Sequence, residues 1–238
     1  MNVDRHLEWA GCYNARDLGG LPTSDGRATR WGAVVRTDSL DRLTPQGWLQ
    51  LYAHGIRTVV DLREDDERAE AVSRPEGITV VPVPLDDNDD TAFWYRWIDE
   101  DIDGTPLIYR PFLEHKAQRC VAAVRAVARA GPGGVVIHCG IGRDRTGLVA
   151  LLLLALAGVE PGAIVEDYAA SGERLRAYFA HPTVADPVAD RLAERGTTIA
   201  AVLHDLLAGL DAQAVLVAAG LSPEDVTAVR TRLIQEAG

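Results

Sequence analysis

The chain has 238 residues, of which 47% are hydrophobic, enough apolar material for a packed core in a single domain spanning 1–238. Its 35 acidic and 24 basic residues give a net charge of −11 at pH 7. That excess of negative charge argues against a general nucleic-acid or anionic-membrane surface. An anionic ligand would therefore need a local positive site.

Cysteine usage indicates a reducing compartment. Cys12, Cys120 and Cys139 are too few and too widely spaced for a disulfide framework. The first residues show no secretory signal, and the apolar run 148–156 is too short to cross a bilayer. We therefore expect a cytoplasmic protein without a membrane span. The spacing of cysteines and histidines contains no CxxC or HxxxH, so neither a metal nor a cofactor is expected.

Short strands and helices alternate in the first half of the chain. Apolar, β-branched runs predict strands at 33–36, 57–62 and 78–83. After the first strand, Thr44 caps a helix that Pro45 begins and Gly55 ends. Its apolar side chains should form a mostly inward face: Trp48, Leu49, Leu51 and Tyr52.

Polar groups follow two of these strands. Asp61 and Arg63 lie at the end of the second, the edge where ligands bind in open α/β sheets, and they either contact a ligand or form a buried ion pair. The acidic run 86–90 follows the third strand and is most simply a solvated loop. Four aromatic residues come next and either line a pocket or pack a lid: Phe93, Trp94, Tyr95 and Trp97.

A loop after the fourth predicted strand carries the clearest chemical signal. Residues 138–147 read HCGIGRDRTG, between a short apolar strand at 135–137 and the apolar helical run 148–156. Such a strand-loop-helix turn directs backbone N–H groups and a helix dipole into one concavity, which favours a bound oxyanion. The residues expected to line this phosphate site are Gly140, Ile141, Gly142, Arg143, Asp144 and Arg145.

The side chains of this loop fit nucleophilic catalysis. Cys139 would lie at the base of the cradle, where N–H dipoles and a guanidinium favour the thiolate. Arg145 can curl back and bind two oxygens of a phosphate. Thr146 is placed to donate a hydrogen bond to the thiolate, whereas His138 is expected to brace loop carbonyls rather than act as a base. So many fixed positions in one window make a chance match improbable.

The Cys-x5-Arg-Thr spacing resembles the cysteine-dependent protein tyrosine phosphatase superfamily. More narrowly, HCGIGRDRTG is similar to the loop His-Cys-x-x-Gly-Lys-Asp-Arg-Thr-Gly of its bacterial tyrosine and phosphoinositide phosphatase branch. Arg143 stands where that branch has lysine, which keeps the positive charge and leaves a preference for inositol phosphates unsupported.

Further segments resemble the same branch: NARDLGG at 14–20, RTDSL at 36–40, GIRTVVDLR at 55–63, and 167–171. The first is expected to hold the N-terminal segment beside the site, with substrate contact as the alternative. A long helix is predicted at 111–130, another at 161–170, and a last one capped by Ser222 and reaching about Gln235.

The predicted fold is α/β and phosphatase-like, with a mostly parallel central sheet flanked by helices and with C-terminal helices. Residues 172–210 are helical in pattern but interrupted at 181–182, Pro187 and Gly196. The region of about 160–210 is therefore a candidate helical lid.

The resemblance implies a phosphate monoester hydrolase, tyrosine-type or dual-specificity, that works through a phosphocysteine intermediate. Its partner would be a phosphorylated substrate: a phosphotyrosine protein, a phosphoinositide or a small phosphate ester. A phosphate-binding module without turnover is the alternative, but it has no need of the Cys139 thiol. A sulfur-transfer enzyme has no required role for Arg145 and Thr146.

Two aspartates are candidates for the general acid. Asp86 follows the third strand, where the superfamily commonly keeps a mobile aspartic acid. Asp144 lies inside the catalytic loop between Arg143 and Arg145. We expect those positive charges to lower the pKa of Asp144, which would make it a poorer proton donor, and we therefore favour Asp86.

Overall fold

A five-stranded sheet with the order β1-β2-β5-β3-β4 forms the centre of the fold. The computed structural model describes residues 4–68, 74–180 and 186–235. Strand β1 pairs with β2 in the antiparallel sense, and the other neighbours are parallel, which confirms the mostly parallel sheet. The strands are β1 Arg16–Asp17, β2 Val34–Thr37, β3 Ile56–Asp61, β4 Thr79–Pro82 and β5 Gly134–His138.

The described residues form helices on both faces of this sheet. The long helix α3 begins two residues before its predicted start, and α10 ends two residues before Gln235. The helices are α1 Pro45–Ala53, α2 Thr91–Asp99, α3 Tyr109–Ala128, α4 Asp144–Leu156, α5 Pro161–Arg174, α6 Arg176–Phe179, α7 Val188–Glu194, α8 Ile199–Ala208, α9 Ala212–Ala218 and α10 Pro223–Leu233.

The central strand β5 shows why the core has two halves. Val135 and Ile137 belong to the larger apolar cluster, which includes most of the buried apolar residues of α3 and α4, whereas Val136 belongs to the smaller cluster beneath α1. This alternation follows from the two-residue repeat of a strand. Because β5 lies between β2 and β3, its carboxyl end at His138 emerges at the middle of the sheet edge.

The predicted inward face of α1 is only half right. Thr44 caps this helix by accepting a hydrogen bond from the Gly47 N–H, as expected. Trp48 and Leu51, three residues apart, are 6% and 0% exposed, but Leu49 is 65% exposed. The prediction was wrong for Leu49 and for the exposed Tyr52, because neither residue lies on the helix face that Trp48 and Leu51 share.

The candidate lid region of about 160–210 contains helices α5 to α8 in its described parts. The predicted interruption at 181–182 lies outside the described residues, and the role of this region as a lid stays a prediction.

Among the residues that the structure describes, no single helix is long and apolar enough to cross a bilayer. Only α8 and α9 taken together meet those two criteria, and this pair is bent by 69° at the break between the two helices.

Candidate active site

The loop from His138 to Gly147 leaves β5 at the sheet edge and enters α4, which begins at Asp144. Three successive carbonyls of this loop accept hydrogen bonds from outside it: Gly140 O from Ser39 N at 3.0 Å, Ile141 O from Asn14 Nδ2 at 3.0 Å, and Gly142 O from Arg36 Nη2 at 2.7 Å. Within the described part of the chain, the N–H groups of residues 140–143 have no acceptor. The loop therefore turns its carbonyls outward and keeps several N–H groups for an anion.

Gly142 is required by the shape of this loop. Its φ is +71°, a conformation that side chains other than glycine rarely adopt, and a Cβ there would come within 2.4 Å of the Thr37 carbonyl oxygen. The loop consequently packs directly against the end of β2.

The NARDLGG segment holds the N-terminal region beside the loop, as predicted. Asn14 donates to Ile141 O, and its Oδ1 accepts from Arg16 Nη1 at 2.6 Å. Arg16 in turn donates to Asp167 and to Ser171 Oγ. These contacts connect β1, the catalytic loop and α5.

Cys139 is 2% exposed and directly follows β5, at the base of the loop. The Thr146 hydroxyl is fully buried and has no hydrogen-bond partner among the described residues, so it is available to the predicted thiolate. His138 Nδ1 lies 3.3 Å from the Cys139 carbonyl oxygen, and its Nε2 lies 3.7 Å from Asp61 Oδ1. Burial lowers the pKa of His138, which favours the neutral ring and a bracing role.

Asp61 and Arg63 form the buried ion pair that was one of their two predicted roles. Arg63 Nη2 donates to Asp61 Oδ2 at 2.9 Å, and both side chains are almost completely buried. Arg63 also pairs with Asp41.

Arg145 binds two carboxylates in this structure. Its Nη2 donates to Glu67 Oε1 at 2.7 Å, its Nη1 contacts Glu67 Oε2, and the same Nη1 lies 3.2 Å from Asp86 Oδ2. Glu67 is a site residue that was not predicted from the sequence. Its position shortly after β3, at the same sheet edge as the catalytic loop, is the signal that could have found it.

Arg143 lies in a different environment. Its Nη1 donates to both oxygens of Asp186 at 2.8 Å, its Nε donates to Asp144 Oδ1 at 3.2 Å, and its guanidinium carbon lies 5.6 Å from the centre of the Phe179 ring. Two carboxylates thus accompany this arginine, which connects the catalytic loop to Asp186, two residues before α7. Its role as a substrate ligand stays a prediction.

The two candidate acids differ in their contacts. Burial raises the pKa of Asp86 to about 6 against the opposing charge of Arg145. Burial also raises the pKa of Asp144, so the prediction that flanking arginines lower it was wrong: desolvation outweighs Arg143. Asp144 Oδ1 accepts hydrogen bonds from Arg143 Nε and from Tyr168 OH at 3.3 Å.

A cavity of about 240 Å³ contains Asp86, Asp144 and Arg145 in its wall, with apolar side chains completing it. Trp94 lines this cavity, whereas Phe93 and Trp97 are buried in the core and Tyr95 is 66% exposed. Trp94 therefore has the predicted lining position, Phe93 and Trp97 pack in the core, and the packing of a lid stays a prediction. A larger groove of about 1000 Å³ opens elsewhere, beside Trp31, and includes none of the predicted site residues.

Among the described residues, no group of three or more His, Cys, Asp or Glu side chains is arranged to hold a metal ion. The guanidinium of Arg145 and two carboxyl groups of raised pKa, those of Asp86 and Asp144, line one cavity. The buried Cys139 thiol belongs to the same loop as Asp144 and Arg145. Fold and site together define an enzyme of the cysteine-dependent phosphatase class.

Comparisons with known proteins agree with this class. The family model described as tyrosine phosphatase family matches residues 7–235. The chain belongs to this tyrosine phosphatase family and is a phosphate monoester hydrolase with a phosphorylated substrate.

Two curated relatives cover most of the chain. A tyrosine-protein phosphatase of Nostoc commune is 29% identical over 226 residues, which are 85% of this chain and 74% of the relative. The triple specificity protein phosphatase PtpB of Mycobacterium tuberculosis is 32% identical over 195 residues, 70% of this chain and 69% of the relative. Among solved structures, the complex of P. aeruginosa TpbA with pTyr has a TM-score of 0.44 and 17% identity, covering 79% of this chain and 86% of that one.

Proposed function

We propose that the enzyme hydrolyses aryl phosphate monoesters, with phosphotyrosine as the preferred substrate, through a phosphocysteine at Cys139. The observation that supports this substrate class is the cavity beside Arg145, which has a volume of about 240 Å³ and is lined by Trp94, Ile98 and Phe112. An aromatic ring fits such a lining, since aromatic and aliphatic side chains pack favourably against its faces and edges.

The charges of the site favour one phosphate group over several. Arg145 is paired with Glu67 and Asp86, and Arg143 is paired with Asp186 and Asp144. A substrate phosphate can share the Arg145 fork, but a second phosphate beside it would meet these carboxylates. We therefore expect multiply phosphorylated inositol lipids to be poorer substrates.

In the first chemical step the Cys139 thiolate attacks phosphorus while the bond from phosphorus to the ester oxygen breaks. Asp86 gives its proton to that leaving oxygen, and Arg145 with the loop N–H groups stabilises the equatorial oxygens. The carboxyl group of Asp86 suits this role because its pKa of about 6 lies closer to neutral pH than that of an ordinary aspartate.

In the second step a water molecule attacks the phosphocysteine. The Asp86 carboxylate accepts a proton from that water, the bond from phosphorus to sulfur breaks, and inorganic phosphate leaves. The buried Thr146 hydroxyl donates a hydrogen bond to the departing Cys139 thiolate. In both steps Arg145 and the backbone N–H groups of the loop stabilise the charge on the phosphoryl oxygens.

Free thiols support a cytoplasmic location. Cys12, Cys120 and Cys139 are all unpaired, and a reducing compartment keeps a nucleophilic thiol from oxidation. We infer that residues 1–238 act as one phosphatase domain in that compartment, because both apolar clusters pack on the two faces of the same sheet.

A substrate panel tests the proposal. Values of kcat/KM are compared for a phosphotyrosine peptide, the same peptide with phosphoserine, a monophosphorylated and a triphosphorylated inositol lipid, and a phosphosugar, all in EDTA. The phosphotyrosine peptide should exceed every other substrate by at least about tenfold, since the other substrates lack the aryl contact. A higher value for the triphosphorylated lipid would contradict the proposed substrate class, and the Cys139→Ser variant controls for contaminating activity.

A further inference from the structure

The chain contains one lysine among its 24 basic residues, and that lysine lies inside the protein. Lys116 is 2% exposed, and its backbone, with φ −129° and ψ 24°, interrupts α3. Burying an ammonium group is unfavourable unless carboxylates pair with it closely. Its location therefore depends on its partners.

Lys116 joins the two ends of the acidic turn that follows Asp86. Its Nζ donates to Asp87 Oδ2 at 3.0 Å and to Asp90 Oδ2 at 2.7 Å. Asp90 also accepts a hydrogen bond from the Phe93 N–H and so caps the start of α2. Asp87 has a φ of 58°, in the sparsely populated left-handed region. Arg119 also pairs with Asp87, through its other carboxylate oxygen, but Lys116 alone contacts both Asp87 and Asp90 among the described residues. The ammonium group of Lys116 thus connects the two ends of an unusual backbone turn.

Asp86 itself is held from the other side. Glu64 Oε1 accepts hydrogen bonds from the N–H groups of Asp86 at 2.9 Å and Asp87 at 3.1 Å. Trp94 Nε1 donates to the Asp86 carbonyl oxygen at 3.1 Å. With its backbone bonded in this way, Asp86 places its carboxylate 3.2 Å from Arg145 Nη1.

We propose that Lys116 is a positioning residue that fixes the acidic turn, so that Asp86 already lies beside Arg145 before substrate binds. The proposal rests on the proposed function, because it takes Asp86 as the proton donor. A compact ammonium with three donors can meet two carboxylates from different directions, whereas a planar guanidinium cannot do so in the same space. Catalysis then needs no closing movement of the loop that carries Asp86.

The Lys116→Met variant tests this role, since methionine keeps the apolar stem and removes the charge. We measure kcat on phenyl phosphate, whose leaving group needs a proton, and on nitrophenyl phosphate, which needs one much less. The variant should lose about tenfold or more in kcat on phenyl phosphate and less than about twofold on nitrophenyl phosphate. KM should stay unchanged on both, because Lys116 does not touch the substrate.

Arg125→Met is the matched control. Arg125 lies on the same helix and pairs with Asp225, away from the cavity. This variant also loses an ion pair, but its kcat ratio between the two substrates should equal that of the wild type.

Combining Lys116→Met with Asp86→Asn separates positioning from a merely structural role. When Asp86 is already replaced, removing Lys116 as well should not lower kcat on phenyl phosphate any further. An equal loss on both substrates, or a further loss in the double variant, would overturn the positioning role and leave the proposed function standing. If Asp86→Asn alone shows no leaving-group dependence, the proton-donor assignment fails and the positioning role fails with it.

Two further measurements do not depend on the folding of Lys116→Met. Asp87→Asn removes the charge of one partner of Lys116, and asparagine tolerates the left-handed backbone. This variant should therefore also lose more kcat on phenyl phosphate than on nitrophenyl phosphate, but the loss should be smaller than in Lys116→Met. In the wild type, the NMR signal of labelled lysine reports one residue only, and it should not shift when vanadate binds. A shift on vanadate binding would show that the turn moves, which contradicts a preformed site.

Discussion

Arg36 and Asp167 are joined beneath the catalytic loop by a buried ion pair of 2.8 Å. Arg36 Nη2 donates at the same time to the Gly142 carbonyl oxygen at 2.7 Å, so the position of the loop depends on the carboxylate. Asp167 also accepts from Arg16 at 3.1 Å and from Arg5 at 2.7 Å. The negative charge of this one aspartate on α5 thus pairs with the positive charges of three arginines. The three arginines hold the pKa of Asp167 well below its usual range, against the opposing effect of burial.

We expect Asp167→Asn to destabilise the fold by about 3–5 kcal/mol, because it leaves buried guanidinium groups without their counterion. The change is read from urea unfolding at pH 7. Asp25→Asn, which breaks an exposed pair with Arg27, is the control and should leave the midpoint almost unchanged. A midpoint for Asp167→Asn close to that of the control would contradict the structural role of this carboxylate.

The Asp167 carboxylate also determines how the stability of the fold should depend on pH. Since the pKa of Asp167 is lower in the folded protein than in the unfolded chain, its contribution is present above the unfolded pKa of about 4 and is lost as pH falls below it. The stability difference between wild type and Asp167→Asn should therefore shrink as pH falls from about 5 to about 2. Urea unfolding across that range measures it, and a constant difference would count against the ion pair as its source.

The proposal that Asp86 is the general acid predicts a pH dependence of the rate. The Asp86 carboxyl, with a pKa of about 6, must be protonated to donate, so kcat/KM on phenyl phosphate should decline as pH rises above about 6. Asp86→Asn should abolish this decline and slow phenyl phosphate far more than nitrophenyl phosphate. Asp144→Asn is the comparison: if it alone removes the decline, the acid is Asp144.

The two loop arginines should respond differently to lysine. Arg145→Lys loses the two-pronged contact with phosphate, and we expect a fall in kcat/KM of about 10²–10³-fold. Arg143→Lys keeps one charge near Asp186 and should change kcat/KM by less than about tenfold, without creating activity on triphosphorylated inositol lipids. Parallel kinetics on the substrate panel measure both variants, and equal losses would show that Arg143 contacts substrate directly.

Much of the fold was visible in the sequence because its signals are local. They are the β-branched runs, the Thr44 cap and the recurrence of apolar residues at every third or fourth position of α3, and each depends only on nearby residues. These signals predicted strand and helix positions to within a few residues. The catalytic loop was equally visible, since its chemistry is concentrated in residues 138–147.

What the sequence did not reveal depends on tertiary contacts. Glu67 reaches Arg145 across 78 positions, and Lys116 reaches Asp87 across 29. The raised pKa of Asp144 follows from burial, which neighbouring residues alone do not show, and its flanking arginines suggested the opposite sign. Long-range contacts and the effect of burial on a pKa can be read only from the folded structure.

Cys139→Ser should fold and bind vanadate but release no phosphate, because a serine hydroxyl does not ionise in this cradle. Residual turnover should fall below about one per cent of wild type on nitrophenyl phosphate. Isothermal titration with vanadate checks that the cradle is intact. Substantial turnover by the folded variant would remove Cys139 from the nucleophile role.

The most direct measurement is to trap the covalent intermediate. Wild-type enzyme and phosphotyrosine peptide are mixed in EDTA, quenched with acid within milliseconds, digested and examined by mass spectrometry. A phosphoryl group should appear on the peptide that contains Cys139, form before steady-state phosphate release, and disappear as substrate is consumed. Full turnover with no phosphoryl group on Cys139, or with the group on another residue, would contradict the phosphocysteine mechanism.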